Sequence, residues 1–337
     1  MSCCVIITHC AIFAPMNKIL FLILLIFSFI SESGYSQSKN TLCLAFYNLE
    51  NLFDTIDNPQ TDDQDFLPTG VYQWNSVRYD NKLKNMSKVI QSLNDNAGPD
   101  ILGVCEIENR SVLHDLTKQS SIKSMQYDIV HRDSPDERGI DVALLFKKKK
   151  FIVLQKDWIS PDLSQDKTRE SLAVQLQDMR KKNFWVLVVH APSRREGKDI
   201  SEKKRLAVSK AVTEFISKIQ KEYPGESIFI VGDFNDTHKD MSMQEYEKMG
   251  FKNAMAPIDP KEIGSLMYNK EWFIFDQILY FNAQTLSASE NTAKIFAPEW
   301  LKQHGDPKYE GSPLRTFGGK KYLNGYSDHF PVSIQIN

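Results

Sequence analysis

Cysteine is scarce, with five in 337 residues, and Cys3, Cys4 and Cys10 crowd into the first ten positions. The other two, Cys43 and Cys105, each lie in an apolar run, and no cysteine or histidine spacing of a structural metal site accompanies them. No disulfide framework is needed. The two could pair if export exposed them to oxidant, but buried free thiols are the plainer expectation. Charge of one sign is lacking too, since 41 basic and 43 acidic residues give a net charge of -2. Without a global basic field, any grip on nucleic acid has to come from a local patch. No internal repeat, low-complexity tract or Pro/Gly-rich linker follows Gln37, which excludes repeat arrays and favours one domain over 37–337.

The leader is what stands out first. Lys18 precedes the apolar run from Ile19 to Ile30, then small and polar residues reach Ser36. The run falls short of the roughly 20 residues that a spanning helix needs, so it reads as a secretory signal over 1–36, cut before Gln37. Met16 is the natural start, with the preceding residues as an upstream extension. A secreted or periplasmic protein with no stable membrane association after cleavage is expected.

Composition is 42% hydrophobic and 11% aromatic, ample for a packed core. Dense β-branched and aromatic runs predict strands over 41–47, 101–105, 141–146, 184–189, 227–231, 275–281 and 331–336. Between them, Leu83, Met86, Ile90 and Leu93 fall on one helical face, and Leu206, Ala211, Phe215 and Ile219 on another. Two long polar loops remain. The first, 54–80, carries Trp74 and Tyr79, which could stack on a base or sugar or else pack in the core, and Arg78, which could meet phosphate. The second, 297–326, carries His304 and Arg315. The lysine run 147–150 reads as a solvated hairpin end.

Apolar strands repeatedly hand over to a polar side chain: Asn48 after LAFY, Glu106 after ILGVC, His190 after VLVV, Asp233 and Asn235 around Phe234 after IFIV. One sheet edge would collect them all, joined by Asp328 and His329 before the last strand. A lone glutamate at a strand end is more often a surface acid, and an Asp-Asn pair more often a turn. Together they suit metal-assisted phosphoester hydrolysis: Glu106 as an oxygen ligand for a hard cation, Asp233 as the base for water, Asn235 to orient it. Histidines need carboxylates to fix their tautomers, and the candidate pairs are His329 with Asp276 and His190 with Asp141. The histidines at 9, 114, 131, 238 and 304 have no such context. Arg138 and Arg194 are the candidate phosphate clamps, with surface solvation the alternative for each.

The runs YNLEN, GVCEIEN, RGIDVALLF, VHAPSRREG, VGDFND, FDQILY and YSDHFPV occur in an order that resembles the endonuclease/exonuclease/phosphatase family from Thr41 to Asn337. That resemblance implies an α/β four-layer sandwich of two packed mixed β-sheets flanked by helices. It implies Mg²⁺ as cofactor, with Mn²⁺ as a substitute, bound by Glu106, Asn48 and Asp328. Asp233 and Asn235 would position the attacking water; His190, and His329 held by Asp276, would stabilise the transition state and leaving group. Gly139 and Ile140 replace the tyrosine of the apurinic endonucleases, which argues against abasic-site repair. A secreted monomeric hydrolase is expected, most simply a nuclease or phosphodiesterase cleaving nucleic acid by in-line water attack. A phosphatase or phospholipase-C-like enzyme on a sugar phosphate or lipid headgroup, and a binding module without turnover, are the alternatives.

Overall fold

The computed structural model describes residues 41–163 and 167–337 together with Met1, so the expected leader lies, Met1 apart, outside the described residues. In chain order the elements are β1 (Leu42–Leu52), α1 (Ser76–Ser92), β2 (Ile101–Ile107), α2 (Arg110–Thr117), β3 (Tyr127–His131), β4 (Asp141–Lys147), β5 (Phe151–Ile159), β6 (Ser171–Asp178), β7 (Asn183–His190), α3 (Lys198–Glu222), β8 (Ser227–Asp233), α4 (Met241–Lys248), β9 (Lys252–Asn253), β10 (Leu266–Tyr268), β11 (Glu271–Phe273), β12 (Asp276–Phe281), β13 (Lys294–Ile295), β14 (Phe317–Gly318), β15 (Lys321–Tyr322) and β16 (Val332–Ile336). Residues 41–337 form one compact unit.

Alternation along the strands builds the layers. In β1, Leu42, Leu44 and Phe46 face an inter-sheet core shared with Val186 and Val188 of β7 and Phe229 and Val231 of β8. The intervening Ala45 and Tyr47 face Leu83, Met86 and Ile90 of α1. On the far side, Trp185 and Leu187 of β7 and Ile228 of β8 face Val212 and Ile216 of α3. The order is thus helices, sheet, sheet, helices, as expected. Truncating any of these leucines to alanine costs about 2–5 kcal/mol. Gly103 lets the sheets close up, because a Cβ there would stand 2.5 Å from Val231 Cγ2.

Helix starts follow capping chemistry. Asn75 Oδ1 accepts from Arg78 N at 3.1 Å to open α1, and Asn109 Oδ1 accepts from Ser111 N and Val112 N to open α2. The face of α3 differs from the expected stripe: Arg205, Val208, Val212, Ile216 and Ile219 are buried, while Leu206, Ala211 and Phe215 are half-buried at its margin. Arg205 turns inward because Asp236, 2.8 Å from its Nε, pairs with it there.

Each sheet is mixed. The first is ordered β13-β16-β1-β2-β4-β3 and the second β5-β6-β7-β8-β12-β9. In both, the central pair is parallel and every other pairing antiparallel. A parallel pair needs a crossover, supplied by α1 between β1 and β2 and by α3 between β7 and β8. At the other end of the chain, Leu42 pairs with Ile336, and Thr41 Oγ1 donates to Asn337 Oδ1 at 2.9 Å.

The long loops pack on each other through aromatic rings. Trp74 is fully buried, its Nε1 donating to Phe53 O at 3.0 Å. Tyr79 Oη donates to Asp115, while Arg78 donates to Tyr72 O and lies 4.6 Å over the Tyr322 ring. Trp74 thus packs in the core, one of the two readings open for it, while Arg78 ties the first loop to the second and Tyr79 ties α1 to α2. Cys43 and Cys105 are free and buried. The lysine run does turn between β4 and β5, yet Lys147 and Lys150 both reach Asp100 Oδ1, at 2.9 and 2.8 Å.

Candidate active site

Parallel central pairs put the C-terminal ends of β1, β2, β7 and β8 on one edge, and their antiparallel neighbours bring N-terminal ends to the same place. Asn48, Glu106, His190 and Asp233 come from the first group, and Asp276 of β12, directly opposite Asp233, from the second. His329 arrives just before β16. Glu106 sits at a bulge in the β2–β4 pairing with φ +57, a left-handed backbone that costs a glutamate on the order of 1 kcal/mol. The bulge turns its carboxylate out of the pleat and into the site. Asn235 is left-handed too, at φ +50.

Three side chains form the centre. Asn48 Nδ2 donates to Glu106 Oε1 and to Asp233 Oδ2, both at 3.2 Å, while its own oxygen accepts from Glu50 N at 2.8 Å. Asn48 thereby ties two carboxylates from different sheets together. Glu106 Oε2 accepts from Asn51 N at 3.0 Å. Asp233 Oδ1 accepts from Asn235 N at 2.9 Å, and Asn235 Nδ2 donates to Ala191 O at 3.1 Å. Gly232 is required beside them, since a Cβ would come within 2.2 Å of Val189 O on β7.

The two histidines are supported differently. His329 Nδ1 bonds Asp276 Oδ2 at 2.6 Å, and its Nε2 faces Asp233 Oδ2 at 3.9 Å and Asp328 Oδ1 at 3.9 Å. The expected His190–Asp141 pair does not form. Asp141 opens β4 in the first sheet, where His131 on the neighbouring β3 takes its Oδ2 at 3.0 Å and Ser134 takes Oδ1. His190, at the end of β7, is held instead by Arg169, whose Nη2 lies 3.1 Å from His190 Nε2 and whose Nε donates to His190 O at 2.9 Å. Arg169 also pairs with Asp136 at 3.2 Å. With a guanidinium donating to Nε2, neutral His190 carries its proton on Nδ1, a buried atom without a partner among the described residues.

Charge in this dry site shifts protonation. Burial pushes the Asp233 carboxyl up to about 7, against the pull of His329 and with help from Asp276. For His329, burial favours the neutral ring, but Asp276 and Asp233 outweigh it and hold the imidazole well above its ordinary value. Burial, with Arg169 next, holds His190 well below its own. Burial also works against ionised Asp328, yet Arg315 and His329 prevail and keep it below the usual carboxylate range.

Among the arginines, Arg194 is engaged by Asp236 at 2.8 Å, Asp240 at 2.9 Å and Asn235 O at 2.7 Å, so it braces the Asn235 loop and has little capacity left as a phosphate clamp. Arg138 is 39% exposed and lines the cavity, as does Arg195. Arg315 bridges Asp328 at 2.9 Å and Glu50 at 3.2 Å. Glu50 also accepts from Thr316 N at 2.7 Å and faces the buried Lys82 at 3.6 Å. Sequence reasoning missed Arg169 and this network; the only trace of Arg169 was an arginine two residues ahead of the apolar run 171–176.

All of this floors a cavity of about 550 Å³, walled on one side by the β10–β11 hairpin with Met267, Tyr268 and Phe273. Glu106 and Asp328 line it with side chains 17% and 24% exposed, where Asp233 is 2% exposed. Glu106 takes one hydrogen bond on each oxygen, leaving lone pairs on both, and an all-oxygen donor set fits a hard divalent cation. Asp233, Asp276 and His329 also lie close enough to share an ion. The 2.6 Å His329–Asp276 bond and the burial of all three identify them better as a proton-transfer group.

A model of the endonuclease/exonuclease/phosphatase family matches residues 43–337. A search of curated proteins finds no match. Solved structures similar in fold include an endonuclease/exonuclease/phosphatase family protein from Bacteroides thetaiotaomicron, at 17% identity and TM-score 0.59 over 88% of this chain and 97% of that one. A mannosyl-6-phosphatase of the same species superposes at 16% identity and TM-score 0.58 over 88% and 99%. D. rerio TDP2 complexed with single-strand DNA product superposes at 12% identity and TM-score 0.55 over 89% and 100%. The chain belongs to the endonuclease/exonuclease/phosphatase family, and it is a metal-dependent hydrolase of phosphate ester bonds.

Proposed function

We propose that the protein is a Mg²⁺-dependent phosphodiesterase that cleaves nucleic acid by in-line attack of water. The observation that carries the reading is the make-up of the cavity: a hydrolytic centre of Asp233, Glu106 and His329, the first two tied by Asn48, under a mouth lined by Arg138, Arg195 and Tyr268. Such a mouth admits a chain longer than one phosphate, with cations for its backbone and an aromatic ring for a base. Glu106 and Asp328 would hold the ion, which supplies charge neutralisation at the phosphoryl oxygens.

The chain's own groups account for the proton movements. Asp233, ionised above about pH 7, takes the proton of the attacking water as its oxygen bonds to phosphorus. Asn235 and Asn48 fix the approach through the bonds that hold Asp233. His329 keeps its proton and gives it to the departing oxygen as the P–O bond breaks. The Arg169–His190 pair places a buried cation beside the phosphoryl oxygens. The leader read from the sequence supports export.

The test is a parallel panel of plasmid DNA, RNA, bis-p-nitrophenyl phosphate, sphingomyelin and a hexose phosphate, with Mg²⁺ and with EDTA. Cleavage of nucleic acid with Mg²⁺, abolished by EDTA and lowered about 10³-fold or more in Asp233→Ala, is expected. A mannosyl-6-phosphatase among the similar folds makes the hexose phosphate the competing substrate; turnover of that ester alone would reject the nucleic-acid reading.

A further inference from the structure

Beside the reaction centre lies a second cleft of about 210 Å³, built where the loop after β1 meets the loop before β16. Two features connect it to the chemistry. Asn51 lines it while its backbone N–H holds Glu106 Oε2 at 3.0 Å, and Arg195 and Arg315 line both this cleft and the catalytic cavity. Whatever sits there therefore meets residues that also line the catalytic cavity or hold its glutamate.

Its size admits one ring. Its aromatic wall offers little for a base to stack on, because Phe66 stacks on Phe53 at 4.4 Å and tilts against Tyr72, which in turn tilts against Phe317 at 4.6 Å. The polar wall is different. Glu50, Arg315 and Thr316 are paired with one another, but among the described residues the Asn51 carboxamide and the Arg195 guanidinium have no partner. An amide that both donates and accepts, next to a free donor fork and an apolar side, is the chemistry that recognises vicinal hydroxyls on a sugar.

We infer that this cleft is a subsite for the hydroxylated sugar ring carried on the scissile phosphate, and that in a polynucleotide it selects ribose over deoxyribose. The inference deepens the proposed function and rests on it only for the polymer, since a hexose phosphate presents the same chemistry.

The experiment compares oligouridylate with oligodeoxyuridylate, identical but for the 2′-hydroxyl, and adds glucose 6-phosphate as a third arm, all with the full chain in Mg²⁺. Cleavage is measured on the wild type and binding on an Asp233→Asn background. The expected result is a ribose preference of about tenfold or more in kcat/KM and in Kd. Asn51→Gly, which keeps the left-handed backbone at φ +52, and Arg195→Gln are expected to reduce that ratio below about threefold. A ratio cancels any general loss of activity. Equal handling of the two oligonucleotides, or variants that keep the full preference, would overturn the subsite while leaving a nuclease. Binding of glucose 6-phosphate that both variants weaken, with neither oligonucleotide bound, would uphold the subsite and reject nucleic acid. Hydrolysis of bis-p-nitrophenyl phosphate with none of the three probes bound would overturn it.

Discussion

At the cavity floor, Asn48, Glu106, His190 and Asp233 stand at the ends of four central strands; at its side, Arg315 and Phe317 hang from a loop that is tied in through side chains, Arg315 to Asp328 and Glu50, and Glu50 to Lys82. Backbone pairing fixes the first group, so a substitution there changes chemistry with little loss of position. Side-chain pairing fixes the second, so a substitution there changes position first. Rigid strand ends carry the reaction, and loops carry the choice of what reacts.

The comparison is tested most severely at Asp276→Asn. His329 keeps its proton because Asp276 faces it, so the variant should lose about 10³-fold in kcat, and its activity should fall away at lower pH than the wild type's as His329 deprotonates. Equal pH profiles would show that the pair is structural. Next is Arg169→Gln, expected to lower kcat about a hundredfold with little change in KM, since it removes the cation beside His190. A purely structural arginine would lower thermal stability and leave kcat per folded molecule intact.

A smaller effect concerns stability in EDTA. The folded carboxyl of Asp233, at about 7, lies above its unfolded value, so the folded state favours the protonated form. The ionised group begins to destabilise as pH rises past about 4 and does so fully above about 7. Asp233→Asn should therefore stabilise the metal-free protein by on the order of 2 kcal/mol at pH 8 and by little at pH 4, measured by urea unfolding. Smallest is Arg78→Gln, which removes a cation over Tyr322: a loss of about 1 kcal/mol, with KM unchanged for every substrate, marks a loop tie.

The strand-end residues were legible because they follow a local rule, whereas the sandwich was implied by the family resemblance. Dense β-branched and aromatic runs marked β1, β2, β4, β7, β8, β12 and β16, and a polar residue after an apolar run marked Asn48, Glu106, His190 and Asp233. The histidine–aspartate pair of His329 and Asp276 was read correctly as well. Pairing across strands was not legible. Asp141 went to His131 because β3 flanks β4, a neighbourhood decided by sheet order and not by chain order. Arg169 escaped because it precedes its strand, and β6, like β3 and β5, was not among the expected strands. Buried ion pairs such as Lys82 with Glu50 join residues far apart in the chain, and each alone looks like a surface charge.

The bond between Thr41 and Asn337, beside the Leu42–Ile336 pairing, has a practical outcome. A short bridge across that seam would make the domain a closed loop with no natural first residue. It could then be reopened at the β4–β5 turn, so that a permuted gene would encode the second sheet first and still return every reacting group to its place.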